Sequence, residues 1–229
     1  ENASSVKVTS HSESNIEANA AAVAAGAVAG NAAVAVAANR LEADTVIRGS
    51  ASIKNVKNDL EVLHTSKTNA NSNVVGGGVG LAAAGIGAAV TSVSPKAHTA
   101  IESGEGTLNK IGDITVKNDI SSTGKADLVS GTVGLGAMNG NALLVFNDTN
   151  ADAKIGDRNI TAKNITVKSD MDATATSDVS SLTVGATALG ATVNYVGLGA
   201  KNDAAIKLAE RKIQASGDVN VDAAAKTKA

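Results

Sequence analysis

The sequence predicts an all-β chain, a right-handed parallel β-helix (β-solenoid) built from about four 54-residue repeats. Three observations predict it. Alternating triplets recur at Val6-Lys7-Val8, Leu60-Glu61-Val62, Ile114-Thr115-Val116, Ile165-Thr166-Val167 and Val219-Asn220-Val221, at steps of 54, 54, 51 and 54 residues. Further columns keep that register: Asn19, Asn73, Asp127 and Asp178; Gly26, Gly80, Gly134 and Gly185; Ile47, Ile101, Ile155 and Ile206. Finally, the chain holds 23 Gly but only one Phe, one Tyr and one Pro, with no Trp. Such a composition builds thin, closely approaching layers rather than a globular core around aromatic anchors.

The repeats run over 6–59, 60–113, 114–164 and 165–218, with the start of a fifth at 219–229. Together they read as a single solenoid segment of a longer chain, since Glu1-Asn2-Ala3 opens with neither an initiator Met nor a signal sequence. The Ile column places the three-residue deletion of the third repeat between Ile155 and Ile165, which suggests an outer turn.

Within a repeat, apolar and polar residues alternate over short stretches rich in Val, Ile and Thr, the signal of strands. The fourth repeat predicts strands at Ile165 to Lys168, Leu182 to Ala186, Thr192 to Val196, Ala205 to Leu208 and Ile213 to Ala215, parted by Asn, Asp, Ser and Gly. Asp59, Asp113, Asn164 and Asp218 precede the triplets, where short side chains can bond their own backbone in a turn. The column from Asn19 to Asp178 reads in the same way, as a capping ladder at turns. A unit that buries little alone must stack on its neighbours, with parallel strands and aligned columns. The Ile column then forms an internal ladder, and the Gly column marks a sharp bend or a close approach of two sheets. Each repeat is expected to make two coils of roughly 27 residues, or failing that three of roughly 18.

Ala20 to Ala38 and Val74 to Val93 are long and uncharged, yet Asn139, Asn141, Thr187, Thr192 and Asn194 interrupt their counterparts. They read as strands packed against a near layer, with a projecting hairpin as the alternative and a transmembrane segment disfavoured.

The composition also excludes functions. With 20 basic against 22 acidic residues and no basic block, there is no electrostatic footprint for nucleic acid or anionic lipid. Zero Cys removes disulfides and thiol chemistry. His11, His64 and His98 share no column and no metal-ligand spacing, and read as exposed strand or turn histidines. Asp127, Asp178, Asp148 and Asp152 read as turn residues rather than calcium ligands. The nearest break in the repeat is Phe146, Asp148, Asp152, Asp157 and Arg158 around the deletion, too sparse for a catalytic site. No catalytic residue, metal site, cofactor or small-molecule substrate is expected. Phe146 and Tyr195 are expected to fill the core.

The step from Gly-Asp or Lys-Asn into a triplet, as in Gly112-Asp113-Ile114-Thr115-Val116, Lys163-Asn164-Ile165-Thr166-Val167 and Gly217-Asp218-Val219-Asn220-Val221, together with Ala/Gly strands such as Val184-Gly185-Ala186 through Gly190-Ala191-Thr192-Val193-Asn194, resembles the large filamentous haemagglutinin-like and leukotoxin-like adhesins of Gram-negative bacteria, which are secreted by a two-partner route. The resemblance implies a secreted fibre at the bacterial cell surface, exported by an outer-membrane transporter partner. It also implies attachment to a host-cell or bacterial surface receptor, protein or glycan. Ala29 to Val36 is similar to the heads of trimeric autotransporter adhesins, and the Ala/Gly segments leave a membrane-active role as a third reading.

Overall fold

The computed structural model describes residues 3–229 and contains strands and no helix among them. In chain order the strands are β1 (Val6–Ala25), β2 (Val28–Asn39), β3 (Glu42–Ile47), β4 (Ile53–Val79), β5 (Ala82–Val93), β6 (Lys96–Ile101), β7 (Thr107–Val133), β8 (Gly136–Ile155), β9 (Asn159–Val184), β10 (Thr187–Ile206), β11 (Ile213–Ala215) and β12 (Val219–Lys228). They form two sheets, one ordered β1-β4-β7-β9 and continued by β11 and β12, the other β2-β5-β8 with β3 and β6 alongside and β10 on β8. Every pairing is parallel. The fold is a parallel β-solenoid.

The pairing register is the repeat itself: Val6 faces Leu60, Leu60 faces Ile114, Ile114 faces Ile165 and Ile165 faces Val219. One repeat is therefore one lap, and the expectation of two or three coils per repeat is wrong. The chain runs out along the first sheet, turns at the Gly column and returns along the second. The out-strands β4 and β7 are 27 residues each, so the sheets are wide and the lap is flat. Small interior side chains permit this shape, since the two layers can approach without the rounded core that bulky residues require.

The short strands expected of the fourth repeat are mostly merged into β9 (26 residues) and β10 (20 residues); only Ile213–Ala215 stands alone. Asn, Asp, Ser and Gly that suggest turns lie within strands instead. Lap-to-lap hydrogen bonds satisfy their backbone on both sides, which outweighs local turn preference.

Three residues leave the third repeat at its corner, where the chain passes from the second sheet back to the first. The turn between β8 and β9 is Gly156, Asp157 and Arg158, against five residues in the two earlier laps. The last residue disappears from an irregularity between Leu108 and Ile111, where Lys110 has φ 55° and its first-lap counterpart is Asn55 at φ 58°.

The aliphatic core sits beside this corner. Ile47, Ile101 and Ile155 stack in register and pack with Leu60, Val62, Ile114, Val116, Ile165 and Val167. Ile206 continues the column on the last lap, partly buried. Burying each such side chain contributes about 1.5–3 kcal/mol. Away from the corner the interior thins to Ala35, Ala89, Ala126 and Ala175, with a few larger residues such as Leu128 and Leu143.

Polar rungs cross this thin interior. Ser72 Oγ lies 2.6 Å from Thr91 Oγ1, and Ser122 Oγ lies 2.6 Å from Thr149 Oγ1. Asn39 donates to the carbonyls of Ser14 (3.2 Å) and Asn69 (2.8 Å), thus joining its own lap to the next. Asn147 does the same toward Thr174 O at 2.9 Å. In this column Val93 and Leu198 stand between and after the two Asn residues, and the column of Asn31 and Asn139 alternates with Gly85 and Gly190. A carboxamide spanning two laps leaves little space for the lap between. A Cβ on Gly85 would stand 3.0 Å from Asn31 Oδ1 and 3.5 Å from Asn139 Oδ1.

At the turn, Gly26 N–H donates to Val79 O (3.1 Å), Gly80 N–H to Val133 O (3.0 Å) and Gly134 N–H to Val184 O (2.9 Å). Each of Gly80, Gly134 and Gly185 lies so close to the carbonyl oxygen of the preceding column member that a Cβ would overlap it. Only glycine fits this stack.

Candidate functional site

Chemistry-bearing side chains gather on the outer face of the second sheet, in its half next to the corner. Parallel pairing aligns Glu42, Lys96, Asn150 and Lys201 in one column and Asp44, His98, Asp152 and Asp203 in the next outward one. They line a shallow hollow of about 330 Å³. Lys96 Nζ is 3.4 Å from Glu42 Oε1, His98 Nδ1 is 3.0 Å from Asp152 Oδ2, and Lys154 Nζ reaches Asp152 and, at 3.6 Å, Asp203. Strand pairing repeats such groups about every 4.8 Å along the axis. The field offers alternating donors and acceptors to a polar ligand that spans several laps.

The outer face of the first sheet carries a comparable array. Lys117 lies 3.5 Å from Asp170, and Lys168 lies 3.1 Å from Asp170 and 4.0 Å from Asp222. A hydrogen bond to Asp170, joined by the attraction of its charge, raises the Lys168 pKa, and Asp127 acts likewise on Lys125 at 2.7 Å. Adjacent laps pair opposite charges at Lys7–Glu61 (3.0 Å) and Glu13–Lys67 (3.8 Å). Where like charges are directly opposed, as at Lys117 and Lys168, diagonal pairs such as Lys117–Asp170 offset the repulsion.

The sequence-derived columns lie elsewhere. Asn19, Asn73, Asp127 and Asp178 are in register but sit mid-strand on the outer face, rather than at turns. Asn73 Nδ2 donates to Asn19 Oδ1 (2.7 Å) and to Glu17 Oε1 (3.2 Å), so these are side-chain rungs and not backbone caps. Asp148 and Asp152 are likewise strand residues of β8. Asn164 lies at the corner, with Nδ2 donating to Asp113 Oδ1 at 2.8 Å and Oδ1 accepting Asp218 N–H at 2.9 Å.

The residues around the deletion do not converge. Phe146 and Tyr195 point outward, 40% and 52% exposed with ring centroids 5.5 Å apart, which corrects the expectation that they fill the core. Gly197 leaves the space in which the two rings meet outside. Asp157 accepts the backbone N–H groups of Ala209 (3.0 Å), Glu210 (3.2 Å) and Arg211 (3.0 Å) of the following lap. These bonds, that from Ala209 foremost, lower its pKa. Arg158 is fully buried and donates to the carbonyls of Gly106 (3.1 Å), Arg48 (3.3 Å) and Ala51. Burial lowers its pKa, and its guanidinium ties three laps together at the shortened turn.

His64 is not exposed as expected but buried inside the lap, with Nδ1 2.6 Å from Ser10 Oγ. Burial first, then the proximity of His11, lowers its pKa. Its sequence signal is weak, because the column otherwise holds the polar residues Ser10, Asn118 and Ser169. Among the described residues, no three of His, Asp and Glu come together as a metal-holding group.

Fold and surface together define a parallel solenoid that presents repeated polar columns outward. No protein family, curated protein or solved structure matches the chain.

Proposed function

We propose that the chain is a structural and adhesive segment of a large secreted fibre on a bacterial surface, where it mediates attachment to host or neighbouring cells. The observation that carries this reading is the lap-by-lap alignment of Glu42, Lys96, Asn150 and Lys201 with Asp44, His98, Asp152 and Asp203. A stiff stack displaying polar and charged groups at a fixed rise suits many weak contacts, whose strength comes from multivalency. Its partner is a surface receptor, protein or glycan, and export relies on an outer-membrane transporter. This reading assigns the segment no catalysis, cofactor, nucleic acid or small-molecule substrate. The resemblance to filamentous haemagglutinin-like adhesins agrees with it. Strand pairing within a single chain also favours a monomeric fibre over a trimeric autotransporter head.

The test couples the chain to beads at graded density and measures attachment to epithelial and bacterial cells. Attachment should rise steeply with density and fall with Lys96→Glu, Lys154→Glu and Lys201→Glu combined. Failure of the beads to attach at any density, a trimer in light scattering, or specific turnover of a polysaccharide would overturn the proposal.

A further inference from the structure

In the half of each lap nearest the Gly turn, most of the bulkier apolar side chains lie on the outside. Facing outward on β2, β5, β8 and β10, the columns from the turn to Phe146 hold only Gly, Ala, Val, Leu, Ile, Met and Phe, apart from Ser92, Thr187 and Tyr195. Facing inward on the same strands are Asn31, Asn139, Asn141 and Thr91 among Ala and Gly, with Leu143 and Val145 as the larger apolar residues. The corner half shows the reverse, with Ile and Val inside and Lys, Asp and Glu outside. Apolar-out and polar-in alternation is the pattern of strands whose solvent is lipid.

The apolar surface also wraps around a convex edge. Val28 is 84% exposed, Leu81 63% and Leu135 65% at the turn, while Val23, Val79 and Val133 continue it onto the outer face of the first sheet. No charged residue occurs between positions 20 and 39, 74 and 93, 128 and 147, or 179 and 198. Turn amides are paired lap to lap, as in Ala82 N–H to Ala27 O and Gly136 N–H to Leu81 O, both 3.0 Å. Backbone immersed in hydrocarbon requires such internal pairing.

We propose that this edge is a lipid-binding blade that enters the hydrocarbon layer of a membrane from one side. From the Gly column to the Asx column is seven residues of strand, about 23 Å at roughly 3.3 Å per residue. That depth exceeds half of the roughly 30 Å hydrocarbon core but not the whole, so the edge passes the midplane without spanning the membrane. Phe146 and Tyr195 lie at the far margin of the apolar field on the second sheet, 12 and 10 residues along the chain from Gly134 and Gly185. An apolar hollow of about 290 Å³ between Val28, Ala84, Met138 and Leu189 offers a seat for an acyl chain. A second copy is the competing occupant, but a flat partner covers one face, whereas this surface covers two faces and the edge between them. A glycan finds almost no polar partner there.

The blade depends on the fold and not on the attachment reading, so the two fail separately. Folded chain is mixed with phosphatidylcholine vesicles, with and without phosphatidylglycerol, and floated on a density gradient at low and high salt. It should float in every case, because the edge is uncharged. Ile86→Asp with Leu135→Asp, both outward-facing, should lower the bound fraction about tenfold or more while the β circular dichroism stays unchanged. Lys96→Ala, on the polar half, should float like the unaltered chain. The proposal is overturned if the folded chain stays at the bottom, or if the aspartate pair floats equally well. It is also overturned if light scattering shows dimers that the aspartate pair dissociates while vesicles remain unbound, since a second copy is then the occupant.

Discussion

Replacing Gly134 with Ala tests whether the turn column is a true backbone stack. Its Cβ would overlap the Gly80 carbonyl oxygen and stand 3.2 Å from Gly136 O and 3.3 Å from Leu81 O, all of them backbone atoms with no rotamer to yield. The turn must shift by about 1 Å to restore van der Waals contact. That displacement strains Gly134 N–H to Val184 O (2.9 Å) and Gly136 N–H to Leu81 O (3.0 Å). At about 1 kcal/mol for each of the two bonds, with about 1 kcal/mol more for residual crowding, the loss is about 3 kcal/mol. The reduced freedom of the unfolded chain offsets about 0.4–1 kcal/mol of it. The net destabilisation should be about 2–3 kcal/mol. Gly140→Ala is the control, because its Cβ would meet nothing within 4 Å; it should be neutral or slightly stabilising. Urea denaturation followed by far-ultraviolet circular dichroism gives both values, and amide exchange should show the opening centred on the Gly80, Gly134 and Gly185 turns. A Gly134→Ala change within about 0.5 kcal/mol of the unaltered chain, or an equal loss for Gly140→Ala, would refute the stacking argument.

The lowered pKa of buried His64 makes stability depend on pH. The unfolded chain takes up this proton at about pH 6.5 and the folded chain only at lower pH, so the stability of the neutral form is complete above about 6.5 and declines as pH falls below it. The urea midpoint should drop between pH 7.5 and 5, and His64→Asn, the residue that the next lap carries in this column, should flatten that slope. Asp157 also has a lowered pKa, so its stabilising contribution is present above its unfolded value near 4 and fades as pH falls further. Asp157→Ala should speed amide exchange at Ala209, Glu210 and Arg211 at neutral pH; unchanged exchange would show that the carboxylate does not hold this loop.

Much of the lap was legible in the sequence, because stacked columns repeat residue types at the spacing of paired strands. The triplets, the Gly column and the Ile column give that spacing directly, and the missing residues of the third repeat point to the corner turn. The path between columns was not legible. A 54-residue offset fits one long lap as well as several short coils, and only packing shows that Ala and Gly interiors let two wide sheets lie close together. Local preference misled at Asn19 to Asp178 and at Asp148 and Asp152, where lap-to-lap hydrogen bonds hold turn-forming residues in strands.

The polar field of Lys96, His98, Asp152 and Lys154 draws on residues scattered among the repeats, and none carries a motif. Pairing brings them together. His64 depended on tertiary structure for the same reason, since Ser10, its partner, lies on the preceding lap. The sequence by itself determined the repeat, its register, the parallel solenoid and the absence of charge along the Ala/Gly stretches. Tertiary structure alone decided which side of those stretches faces out. Alternating Val with Ala or Gly fits either face, and the choice follows from the narrow gap between the sheets, which holds mainly small and amide side chains beside Val74, Leu128, Leu143 and Val145 and leaves most of the bulkier residues outside.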